Sequence, residues 1–159
     1  MPKVQKSTLL NREKIINDLG KILKSENILK HEDQIRPYET DALTAYRQKP
    51  LIVVLPETVK EVSNILKYCN ENKIRVVPRG AGTGLTGGSL PLEDCVLLGM
   101  GKFNKILEVD YKNKCVVAQP CVTNLAITHA VQNNNFYYAP DPSSQIACSI
   151  GGNVASNSG

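Results

Sequence analysis

The sequence has no Cys-x-x-Cys pair, and only two histidines, His31 and His129, accompany its five cysteines, Cys69, Cys95, Cys115, Cys121 and Cys148. An odd, dispersed set of thiols fits neither a disulfide framework nor a zinc site. No stretch holds eighteen apolar residues in a row, which excludes a membrane-spanning helix. Near the N-terminus charged and apolar residues alternate (Lys14, Ile15, Ile16, Asp18, Leu19), so the apolar centre of a signal peptide is missing as well. The formal charge of +4 is spread in singles and pairs, with no run of five or six like charges. Nucleic-acid or membrane-surface binding by charge alone is therefore not expected. A reducing, cytoplasmic setting is.

What remains is a chain of 159 residues with 42% apolar content, about one domain in length and able to bury a core. A helix is expected over Leu9 to Leu29, with Ile15, Leu19, Ile22 and Leu23 at helical spacing and Gly20 as its weak point. His31 to Pro50 reads as an extended lead-in. Leu51 to Leu55 is a short apolar run suited to a buried strand. Thr58-Val59-Lys60-Glu61 then has the spacing of a capping box, and Val62, Ile65, Leu66 and Cys69 continue an apolar helix face. Further strands are expected at Ile74 to Val77, Val96 to Leu98, Ile106 to Val109 and Cys115 to Ala118, with a polar turn between the last two. A helix capped by Thr123 follows from Asn124 to about Gln132, stopped by Asn133-Asn134-Asn135, and Phe136-Tyr137-Tyr138 reads as a last short strand. The order indicates an α+β fold, not strict β-α alternation.

Five glycines fall within nine residues, Gly80 to Gly88, directly after the strand at Ile74 to Val77. Such bare backbone marks a tight turn or a place where a ligand presses against the chain. Gly82-Thr83-Gly84-Leu85-Thr86-Gly87 has the letters of the dinucleotide fingerprint. The fingerprint requires a helix at its last glycine, and here Gly88-Ser89-Leu90-Pro91 follows. The acidic residue expected about twenty positions on is also missing, and Gly88 stands where a Walker loop needs lysine. What survives is an anion-binding concavity of successive N–H groups that needs no helix, with phosphate as its natural guest and Arg79 as a charge-assisted contact. A long surface turn without a ligand is the other reading. A second segment of small residues, Pro140-Asp141-Pro142-Ser143-Ser144 and Ser149 to Asn157, could line the other side of an extended phosphate-bearing ligand.

The stretches VVPRGAGTGLTGGSLPLEDCVLLGM and YYAPDPSSQIACSIGGNVASNSG resemble the two flavin-binding segments of the vanillyl-alcohol oxidase and p-cresol methylhydroxylase superfamily, most closely the FAD-binding subunits of bacterial glycolate oxidases. The resemblance implies a p-cresol methylhydroxylase-type FAD-binding domain over residues 48–159, incomplete on its C-terminal side. An N-terminal helix and lead-in over 1–47 would precede it. It implies FAD contacts from Pro78, Arg79, Gly80, Ala81, Gly82, Thr83, Gly84, Gly87 and Gly88 in the first segment. In the second, Pro140, Asp141, Ser143, Ser144, Ser149, Gly151, Gly152 and Asn153 would pass alongside the cofactor. Members that tether the flavin through this loop carry histidine about where this chain has Thr83, so noncovalent FAD is implied. His129, mid-helix, and His31, in the lead-in, read as packed or solvated. The implied activity is hydride transfer from C2 of a 2-hydroxy acid, glycolate or D-lactate, in a longer protein that includes substrate-binding residues absent from this stretch. Other glycolate oxidase subunits are the partners the resemblance implies, and membrane association would come through them. D-lactate or D-2-hydroxyglutarate dehydrogenases of the superfamily are the near alternative, and a noncatalytic flavin or nucleotide module is the distant one.

Overall fold

A computed structural model describes residues 11–158. The chain divides into two compact units, one comprising the residues up to Arg79 with Gly84–Gly99, the other Gly80–Thr83 with the residues from Met100 onward.

The first unit is built on a four-stranded sheet in the order β1 (Ile28–Leu29), β2 (Ile52–Val54), β4 (Cys95–Gly99), β3 (Arg75–Arg79). The pairs β2–β4 and β3–β4 are parallel, and β1 joins β2 antiparallel with Ile28 opposite Val54. Strands β2 and β4 are buried along their whole length, which is why each reads as an unbroken apolar run. Between β2 and β3 runs α3 (Val59–Glu71), started by the capping box: Glu61 N–H donates to Thr58 Oγ1 at 3.2 Å while Thr58 N–H donates to Glu61 Oε2 at 3.0 Å. Its Ile65 and Cys69 face the core with Leu19, Val53 and Leu97. β3 extends past Val77 to take in Pro78 and Arg79. It is an edge strand, and an edge tolerates the missing N–H of proline.

The expected long N-terminal helix is corrected. Leu9 and Leu10 lie outside the described residues, and α1 spans only Arg12–Leu19. Gly20 caps it, Ser25–Asn27 forms a 3-10 turn, and Ile28 and Leu29 leave helical spacing to pair with β2. Tertiary pairing overrides the local period. The lead-in is likewise not extended throughout: it contains α2 (Glu32–Ile35) and a 3-10 turn over Arg36–Tyr38. Gln34 Oε1 accepts from His31 N–H at 3.2 Å at the start of α2.

The second unit holds the hairpin β5 (Ile106–Asp110) and β6 (Cys115–Ala118), with a register irregularity between Ile106 and Glu108. The turn closes where Asp110 Oδ1 accepts from Asn113 N–H at 3.0 Å and Lys114 takes a left-handed φ of 55°. α4 (Asn124–Val131) starts as expected, Ala126 N–H donating to Thr123 Oγ1 at 3.1 Å, and ends before Asn135 at φ 61°. The last helix is α5 (Ile150–Ser156). Phe136 to Tyr138 is not a strand: Tyr138 N–H donates to Thr128 Oγ1, and the Phe136 ring lies 5.7 Å from that of Tyr111. Packing of rings replaces a ladder there.

Candidate functional site

The glycines of the first loop separate by what surrounds them. A Cβ on Gly80 would lie 2.3 Å from Ser149 Oγ and 3.3 Å from Ser149 Cβ, so the loop rests on the residue that opens α5. Within the second unit this contact joins Gly80, at the start of the first segment, to Ser149 of the second. Gly82 and Gly87 have φ of 73° and 76°, which only glycine adopts without strain. Gly87 holds a turn in the first unit, its carbonyl accepting from Leu90 N–H at 3.1 Å. Around Gly84 there is nothing within 4 Å of a Cβ position, and around Gly88 only Thr86 Oγ1 at 3.8 Å. Their backbone is bare and accessible. Among the described residues, the N–H groups of Ala81, Gly82 and Thr83 donate to no other backbone carbonyl.

Pro78 and Arg79, expected as loop residues, belong to β3. Arg79 Nη1 donates to the carbonyls of Tyr38 at 3.2 Å and Thr40 at 2.7 Å, and its guanidinium lies 5.7 Å from the centre of the Tyr38 ring. Burial lowers its pKa, opposed by the charge of Asp41.

The second segment is more ordered than its composition suggested. Gln145 N–H donates to Pro142 O, and both Ala147 and Cys148 N–H donate to Ser144 O, winding Pro142 to Cys148 into successive turns. Asp141 and Ser143 are exposed, and Pro140 and Ser144 half-buried. Gly151 is glycine for packing: a Cβ there would meet Pro120 Cβ at 2.6 Å, and its N–H donates to Pro120 O at 2.8 Å. At Gly152 a Cβ would come within 2.9 Å of Ser149 Oγ. Asn153 is buried and turned inward, Nδ2 donating to Asn124 Oδ1 at 2.7 Å; Asn124 Nδ2 in turn donates to Pro140 O at 3.2 Å. Cys148 Sγ completes the cluster, 3.6 Å from Asn124 Oδ1.

The sequence reading missed Asn124, Pro120 and α5 itself. Asn124 is the first residue of α4, and its amide bonds Pro140 and Asn153, partners that no local signal in the sequence reveals. Gly151-Gly152 concealed the helix, because paired glycines weaken helical propensity. His129 is exposed on α4. Among the described residues no group of three metal-ligating side chains occurs. No helix among them is long and apolar enough to cross a membrane. A cavity of about 400 Å³ in the second unit is lined by side chains such as Val116, Ile127, Val131 and Tyr138, and contains none of the loop glycines.

These residues fit FAD in physical terms. Gly80–Thr83 offers N–H groups for a pyrophosphate on a support fixed by Ser149, and the small residues of the second segment allow close approach of backbone. Comparison with known proteins agrees. The family described as FAD binding domain matches residues 50–159. Glycolate oxidase subunit GlcD of Escherichia coli K12 is 51% identical over 150 residues, 94% of this chain and 30% of the relative; its Bacillus subtilis counterpart is 41% identical over 122 residues, 77% and 26%. D-2-hydroxyglutarate dehydrogenase of Arabidopsis thaliana is 33% identical over 147 residues, 92% of this chain and 26% of the relative. Among solved structures, p-cresol methylhydroxylase with substrate bound superposes with a TM-score of 0.79 at 25% identity, covering 98% of this chain and 30% of that one. The chain thus spans about 30% of the length of the first of these curated relatives. With the family matched over most of its length and the fold shared with p-cresol methylhydroxylase, the chain belongs to the FAD binding domain family.

Proposed function

We propose that this chain is the N-terminal FAD-binding portion of a flavin-dependent 2-hydroxy-acid oxidoreductase of the glycolate oxidase type. Residues 48–159 form the cofactor-binding part and residues 1–47 its lead-in. The observation that carries the reading is the seating of Gly80 on Ser149, which joins the two glycine segments in one unit and supports binding of an extended phosphate-bearing ligand. The identity with bacterial glycolate oxidase subunits supports the choice of substrate class.

Bound FAD supplies a two-electron acceptor for hydride leaving C2 of the hydroxy acid. The work of this chain is to bind and orient. N–H groups of Ala81, Gly82 and Thr83 would hold the pyrophosphate, with Ser149, Gly151 and Gly152 supporting them from the second segment. Pro140, Asp141, Ser143 and Ser144 would pass alongside the cofactor, and Asn153, through Asn124, would hold the Pro140 carbonyl in place beside it. FAD is held noncovalently, since Thr83 stands in the tethering position. Other glycolate oxidase subunits are the proposed partners, in the cytoplasm, with any membrane attachment made through them.

The 33% identity with D-2-hydroxyglutarate dehydrogenases favours a second reading, oxidation of that acid or of D-lactate at the same kind of site. The protein at the length of its relatives, purified with FAD, is assayed with glycolate, D-lactate and D-2-hydroxyglutarate and an artificial electron acceptor. Highest kcat/KM on glycolate is the expected result. Preference for either other acid selects the second reading, and a flavin-free protein inactive on all three removes both.

A further inference from the structure

Arg79 stands one residue before the flavin loop, where its charge invites assignment to a phosphate. Its surroundings argue otherwise. Nη1 already donates to two carbonyls, those of Tyr38 and Thr40, and the guanidinium lies against the face of the Tyr38 ring. Asp41, one residue further, is buried; its Oδ1 accepts from Leu43 N–H at 3.0 Å, and its buried Oδ2 lacks a hydrogen-bond partner. Its charge is therefore available to Arg79, on which it acts. The segment held in this way is itself closed, Gln48 N–H donating to Glu39 O at 2.7 Å and Thr40 Oγ1 to Tyr46 O at 3.1 Å. A half-buried guanidinium with two carbonyl acceptors and an aromatic ring beside it is fixed in place by them. A planar fork suits this; an ammonium does not reproduce it.

We propose that Arg79 is a positioning residue: it ties the C-terminal end of β3, from which the flavin loop departs, to the Tyr38–Asp41 segment, and does not bind the FAD phosphate. The inference rests on the FAD-binding reading for its affinity arm only. Three variants of the full-length protein, Arg79→Lys, Arg79→Met and Tyr38→Leu, are compared with the wild type. The first arm measures FAD affinity across a range of salt concentrations. Lys and Met are each expected to lose about tenfold or more, the order of one or two hydrogen bonds to a charged group, with an unchanged dependence on salt. Tyr38→Leu should lose less, and its loss should not add to that of Arg79→Met, because the two side chains form one cluster.

The second arm needs no cofactor. Thermolysin cleavage within residues 39–48 should accelerate in both Arg79 variants while cleavage elsewhere keeps its rate. Lys retaining wild-type affinity while Met loses both affinity and salt dependence would make Arg79 a phosphate ligand and overturn the proposal. Unchanged cleavage in both variants overturns it as well. A wild-type protein that binds no FAD removes the FAD reading, and the cleavage arm then decides the role of Arg79 alone.

Discussion

Glycines of one loop serve different ends, and substitution separates them. At Gly84 the space around a Cβ is open and φ is not in the left-handed region, so Gly84→Val should change the stability of the FAD-free protein by no more than about 0.5 kcal/mol. At Gly82, with φ at 73°, the same change should cost about 1–3 kcal/mol with or without cofactor. Both should weaken FAD binding, Gly84→Val through the ligand alone. Thermal unfolding and flavin titration of the two variants test this, and unchanged affinity in Gly84→Val would show that the loop is only a turn. Gly80 offers a sharper case. A methyl there collides with Ser149 Oγ, so Gly80→Ala should destabilise the protein by about 1–3 kcal/mol, and adding Ser149→Gly, which removes the colliding atoms, should restore a large part of it. Additive losses in the double variant would mean that the two segments do not touch.

At the scale of elements, the tie between α1 and α3 carries a titration. Tyr68 Oη donates to Asp18 Oδ2 at 3.2 Å, and burial, reinforced by the Asp18 charge, pushes the Tyr68 phenol up to about 12. Asp18 moves the other way, lowered chiefly by its hydrogen bond from Lys21. A raised phenol pKa means that the stability from this contact is complete below the ordinary value near pH 10 and is lost as pH rises through about 12. The Asp18 contribution is present above its ordinary value and is lost as pH falls. A tyrosinate absorbance titration should therefore show a late step near pH 12, and that step should vanish in Tyr68→Phe. A late step that survives the substitution belongs to another tyrosine.

Strands β2 to β6 and the helices α3 and α4 were legible in the sequence because each carries its own local signal: an apolar run closed by proline or charge, or a threonine at the right distance from its acceptor. The misses share one cause. Ile28-Leu29 continues a helical spacing yet pairs as β1, and Phe136 to Tyr138 has strand composition but no partner strand; in both, distant residues decide. At the site, composition located the two segments, whereas the inward turn of Asn153 onto Asn124 and the engagement of Arg79 with Tyr38 and Thr40 depend on contacts across 29 and about 40 positions.

For the whole molecule, the chemistry around the loop determines whether the cofactor is a permanent part of the protein or an exchangeable one. Thr83 cannot form the bond that a histidine forms in that position. A thiol also lies close to the loop, Cys121, whose Sγ is 3.9 Å from the Cβ position of Gly80, and burial raises its pKa, which keeps it protonated and poorly nucleophilic. His129 is on the exposed face of α4. FAD should then be released completely into the supernatant when the full-length protein is precipitated with acid. Because an exchangeable ligand stabilises only the folded state, the unfolding temperature should also climb with free FAD, by the equivalent of about 2.7 kcal/mol at a hundredfold excess over Kd. Flavin that stays with the precipitate would overturn the noncovalent assignment, and its loss in Cys121→Ser but not in Thr83→Ala would locate the bond on the cysteine.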